Sequence, residues 1–159
     1  MLDWIAARVL HVLAVVLWIG GVAMVTTVLL PASRRMKSPA ERLEFFERIE
    51  AGFARQARWT TAIAGASGLY LVYVLDAWDR FKHLGYWWMH AMVLVWAIFT
   101  LMLFVIEPVW LHRWLRARVE RDPDRTFALI QRLHWFLLAI SLLTIAGAVA
   151  GSHGWLLER

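Results

Sequence analysis

Residues 4–30 read WIAARVLHVLAVVLWIGGVAMVTTVLL, and Arg8 and His11 are the only ionisable side chains in that run. A helix rises about 1.5 Å per residue, and about 20 mostly apolar residues cross the hydrocarbon core of a bilayer. The run is long enough to span. Three further apolar runs follow at 59–75, 86–106 and 127–150. The chain of 159 residues is 61% hydrophobic, well above the roughly half-apolar composition of a soluble domain. The expected fold is therefore all-α, an integral membrane four-helix bundle forming a single transmembrane domain over 1–159. The first run is too long for a secretory leader, has no basic stretch ahead of it and lacks a small-residue cleavage site, so it is read as part of the mature protein.

Charge sets the expected orientation. Arg34, Arg35, Lys37, Arg42, Arg48, Arg55 and Arg58 lie between the first two runs, and Arg113, Arg116, Arg118, Arg121 and Arg125 between the last two. Loops rich in Lys and Arg stay cytoplasmic. The connection between runs two and three holds only Arg80 and Lys82, offset by Asp76 and Asp79. Both termini are thus expected outside, N-out and C-out. The net charge of +5 is concentrated in two loops and not along one groove-fitting element, so it reads as topology and no nucleic-acid partner is expected. The chain has no Cys, which removes disulfides, thiolate metal sites and thiol catalysis.

Ser38-Pro39-Ala40-Glu41 is a capping box with proline at the first helical position. It predicts a short amphipathic cytoplasmic helix between spans one and two, with Leu43, Phe46, Ile49 and Phe53 on its apolar side, lying on the membrane surface or serving as a solvated connector. Asp122-Pro123 starts the fourth helix in the same way. Most tryptophans fall at span ends, where amphipathic rings favour the headgroup region. Trp18 and Trp96 fall mid-span. The segment AIAGASG at 62–68, and Gly147 with Gly151, permit close helix approach inside the bundle or to another subunit of a homo-oligomer or membrane complex.

Ionisable groups inside a membrane are costly and mark function. His11 lies about 10 Å and His90 about 6 Å from the outer ends of their spans, whereas His134 lies about 10 Å from the inner end. His11 and His90 are therefore the first candidates for a cofactor or metal site, set against interhelical hydrogen bonding as the plainer reading. Two such histidines can supply both axial ligands of a haem b in a helix bundle. Arg8, one turn outward of His11, is placed to pair with a propionate, as are His83 and Lys82 from the loop, and Trp18 to pack on the porphyrin. His112 and His153 read as surface residues. Met89 and Met92 flank His90, with Met24 and Met102 deeper. Histidine with thioether suits Cu(I), so His11, His90 and Met92 form an alternative copper set, with His134 a secondary candidate. Glu107-Pro108 reads as a helix end with a snorkelling carboxylate.

The stretches LHVLAVVLWIGG at 10–21 and YWWMHAMVLVWAIF at 86–99, with a proline closing span one and a charged segment leading into a glycine-rich span two, resemble bacterial copper-resistance proteins of the CopD type and their relatives, the HemJ-type protoporphyrinogen oxidases. The resemblance implies a multi-pass protein of the bacterial inner membrane, with membrane histidines carried here by His11, seven residues before Trp18, and by His90. It favours haem. HemJ-like proteins usually have His-x-Lys on span three; here His90-Ala91-Met92 lacks the cation, which weighs against porphyrinogen oxidation. The expected function is a b-type haem protein, cytochrome b-like, transferring electrons near the outer face with a quinol or periplasmic redox partner. The alternatives are copper handling, a protoporphyrinogen oxidase-like enzyme, and a non-catalytic assembly subunit.

Overall fold

In the computed structural model of the protein, residues 3–36 and 38–155 are described. Every regular element among them is helical. Helix α1 runs from Asp3 to Ser33, α2 from Pro39 to Val74, α3 from Leu84 to Leu111, α4 from His112 to Arg121 and α5 from Pro123 to Ser152. A 3-10 turn at Trp78–Lys82 sits in the connection between α2 and α3. Lys37 lies outside the described residues, as does the side chain of His112, so the surface reading of that histidine is left there.

Three of the helices, α1, α3 and α5, are long and apolar enough to cross a membrane. Their outward side chains are aliphatic: Leu13, Val16, Leu94, Leu101 and Leu143 are all exposed. Apolar faces turned away from the core are compatible with contact with a lipid bilayer. Helix α2 does not reach that apolarity, because it alternates small and polar residues, Thr60, Thr61, Gly65, Ser67 and Gly68, with its aliphatic ones. Those small residues are where its neighbours enter. All four long helices meet in one core, with Trp18 and Val22 from α1, Ala57 and Ala64 from α2, Val95 and Phe99 from α3, and Leu138 from α5.

Both helix starts follow their caps. Ser38 Oγ accepts from the Glu41 N–H, and Asp122 Oδ1 from the Arg125 N–H, as expected of N-cap residues. The segment after Ser38 is not a separate short helix, however. It runs without a break into the second apolar run, giving one helix of 36 residues. Nor does its apolar side rest on a membrane surface. Phe46 is buried with Leu30, Leu115, Phe127 and Ile130, and Leu43, Ile49 and Phe53 pack against that cluster. No glycine or proline falls between Pro39 and Gly52, and the apolar stripe finds protein partners at the end of α1, on α4 and at the start of α5.

A second difference concerns Pro108. Helix α3 does not end there; it widens into a π stretch from Met102 to Leu111 with Pro108 inside, and α4 continues directly from it. Proline has no N–H and its ring collides with the carbonyl four residues back. In the wider register, the carbonyl left without its donor by Pro108 is five residues back, that of Leu103. Arg58 Nε donates to that carbonyl at 3.0 Å. Glu107 is consequently not a snorkelling end residue but a buried side chain.

Several small residues take aromatic rings from neighbouring helices. A Cβ built on Gly65 would stand 2.5 Å from Trp96, and one on Gly151 2.5 Å from Trp88. Trp96 Nε1 then donates to Thr61 O at 3.0 Å, which fixes α3 against α2.

Candidate functional site

His11 sits on the buried line of α1 with Ala7, Ala14, Trp18 and Val22, one turn from Ala7 and Ala14. Its ring lies against α2, where a Cβ on Gly68 would come within 3.1 Å of it. Nδ1 is 2.9 Å from Ala64 O and 3.2 Å from Ser67 Oγ. A carbonyl only accepts, so Nδ1 carries the proton and Nε2 keeps its lone pair. A metal-ligating histidine is held in this way, with one ring nitrogen donating to a fixed acceptor and the other left to bind.

His90 is placed differently. The buried residues of α3 up to Leu101 are Trp88, Met89, Val95 and Phe99, and at about 100° per residue His90 falls close to the opposite side of the helix. It is exposed. Its Nε2 donates to Phe81 O at 3.0 Å, and its ring meets Phe81 edge-on at 5.4 Å. His11 is thus turned into the α1–α2 contact and His90 toward the connection between α2 and α3.

The remaining expected site residues are dispersed. Arg8 is exposed and stacks over Trp4 at 5.1 Å. Trp18 is 4% exposed and meets Phe99 edge-on at 4.9 Å, and its buried Nε1 has no acceptor among the described residues. It is a core residue on the same line as His11. Lys82 pairs with Asp79 and His83 is exposed. Met92 packs with Trp88 and Met89, and Met24 is 41% exposed. His153 is exposed. Among the described residues, no group of three or more His, Asp or Glu could hold a metal ion.

A further set of residues does converge, where the first half of α2 meets α3, α4 and the start of α5. A cavity of about 130 Å³ lies between α1, α2, α3, α4 and α5, lined by apolar side chains together with Glu50, Glu107 and His134. Glu107 is 6% exposed and accepts from Arg58 at 2.8 Å. Glu50 Oε2 is buried with no hydrogen-bond partner among the described residues. Burial, with Glu107 and Glu47 nearby, pushes the Glu50 carboxyl up to about 7. His134 donates from Nδ1 to Ile130 O at 2.9 Å, leaving Nε2 as its acceptor. Sequence reasoning missed Glu50 and Arg58. Each is one of many charges in a basic segment, and only the unbroken α2 turns them inward.

No family model matches the chain, and neither do any characterised protein or solved structure. The site is therefore read from its own geometry. Two places gather polar groups: the His11 ring, pinned through one nitrogen between α1 and α2, and the chamber with its two carboxyls and imidazole.

Proposed function

We propose that the chain is a four-span membrane protein of the inner membrane, N-out and C-out, that carries out redox chemistry at a metal centre ligated by His11. The second span is supplied by residues 59–75 of α2, whose lower apolarity is offset by burial of its small face. The orientation rests on the basic loops of 34–58 and 113–125, both of which then lie in the cytoplasm. His11 then stands in the outer half of the bilayer.

The observation that carries the reading is the pinned tautomer. The Ala64 carbonyl and the Ser67 hydroxyl orient the ring and leave Nε2 as the only nitrogen that can bind a metal. The Ser67 hydroxyl donates to Ile63 O at 2.6 Å, so its oxygen is free to accept from His11. The group bound is haem b, as the resemblance implies, or copper; either supplies the electron-transfer chemistry. The chain's own part is to fix the ligand, exclude water with Trp18 and Ala14, and tune the centre through the Ala64 hydrogen bond.

The test is spectroscopy with metal analysis on protein purified in mild detergent, comparing wild type, His11→Ala and His90→Ala. The expected result is a Soret band, or bound copper, that disappears in His11→Ala and survives in His90→Ala. Equal loss in both variants would favour the paired-histidine centre. Neither haem nor copper in the wild type would overturn the reading.

A further inference from the structure

From the inner chamber, and resting on the reading of these helices as bilayer spans, we propose a binding site for a lipid-soluble hydroquinone, with Glu50 as hydrogen-bond donor and His134 as acceptor. The volume supports a single ring: the cavity is about 130 Å³, and an engineered apolar cavity of about 150 Å³ is enough to admit benzene. The walls are aliphatic and aromatic, Phe53, Phe99 and Leu103 among them. That is the usual setting for a ligand fixed by a few placed polar groups.

The polar groups select the oxidation state. At neutral pH and below, Glu50 holds a proton for about half or more of the time, because burial and its acidic neighbours raise it to about 7. Its Oε2 has no partner among the described residues, so it is available to the chamber. His134, with Nδ1 committed to Ile130 O, offers only a lone pair. One donor and one acceptor suit a phenolic hydroxyl, which accepts from one and donates to the other. A quinone carbonyl only accepts and leaves His134 unpaired. Glu107 is neutralised by Arg58 and Glu47 by Arg116, so Glu50 is the carboxyl without a cationic partner among those facing the chamber. The α1 wall contributes Val22 and Val25 and no charge.

The access route points to a ligand that arrives from the bilayer. Leu133 lines the chamber yet is 48% exposed, and Trp135 and Phe136 beside it are exposed at 51% and 61%. These residues belong to a helix apolar enough to span.

The experiment is isothermal titration of the purified protein in detergent, under anaerobic conditions, with methylhydroquinone and with methyl-1,4-benzoquinone, whose single rings match the cavity volume. The expected result is saturable one-site binding of the quinol, about tenfold tighter than the quinone, as one additional hydrogen bond implies. Glu50→Ala should weaken quinol binding about tenfold, and Leu133→Trp, at a half-exposed position on the chamber wall, should obstruct it. Glu50→Gln keeps a donor and should retain binding while removing its decline above pH 7. No saturable binding, equal affinity for the two oxidation states, or unchanged affinity in Glu50→Ala would each overturn the proposal. Metal and haem content of the same preparation reads the His11 centre independently, so each reading can fail alone.

Discussion

The Arg58–Glu107 pair makes an asymmetric prediction. The Glu107 side chain is 8% exposed and that of Arg58 35%, with 2.8 Å between them. Removing one partner of a fully buried pair costs about 3–5 kcal/mol, because the other charge is left unpaired in a poor solvent. Arg58→Met leaves the Glu107 carboxylate facing the apolar chamber and strips the Leu103 carbonyl of its donor; the expected loss is about 3 kcal/mol. Glu107→Leu leaves a guanidinium that is one-third exposed and still bound to Leu103 O, so the expected loss is about 1 kcal/mol. The double variant should lie well short of the sum, near 1 kcal/mol. Unfolding in mixed micelles, followed by tryptophan fluorescence, measures all three. A Glu107→Leu loss equal to or larger than that of Arg58→Met, or strict additivity, would refute the assignment of Glu107 as the buried member.

Other outcomes follow from the same contacts. Gly65→Ala should cost about 1–3 kcal/mol by overpacking the Trp96 indole, whereas Gly20→Ala, with nothing within 4 Å of its added methyl, should be neutral or stabilising by about 0.4–1 kcal/mol; paired thermal melts check both. Glu50 is raised in the folded state to about 7 from an ordinary value of 4.5, so the folded chain holds the proton more tightly than the unfolded one. Its contribution is complete below about pH 4.5 and is lost as pH rises through about 7. Melting temperature should fall between pH 5 and pH 8 in the wild type and less in Glu50→Gln.

Much of the architecture was legible because it depends on run length and caps. The apolar runs, the starts at Pro39 and Pro123, and the small-residue face of α2 are local signals, and each appears where its chemistry places it. The interhelical hydrogen bond of His11 was legible for a related reason: a polar ring in the middle of an apolar helix has few ways to be satisfied. The direction of His90 was not legible, because similar depth says nothing of which side of the helix a residue takes. Two residues from Trp88, it faces away from the core. The chamber was hidden for another reason. Pro108 reads as a terminator, and only a wider helical register, which no residue pattern announces, carries the chain past it and leaves Glu107 inside. Glu50 likewise depends on α2 being one rod, so that the apolar stripe of its first half meets α4 and α5 and not lipid.

The π stretch of α3 also sets the angle at which the chain leaves it. A π turn takes up more residues than an α turn, so returning Met102–Leu111 to α register at unchanged length would rotate everything after it and set the Pro108 ring against the Phe104 carbonyl. Arg116 would leave Glu47, and Leu115 would swing out of the cluster around Phe46 and Phe127. The widened turn thus acts as a phase setting between the apolar segment and the basic helix beyond it.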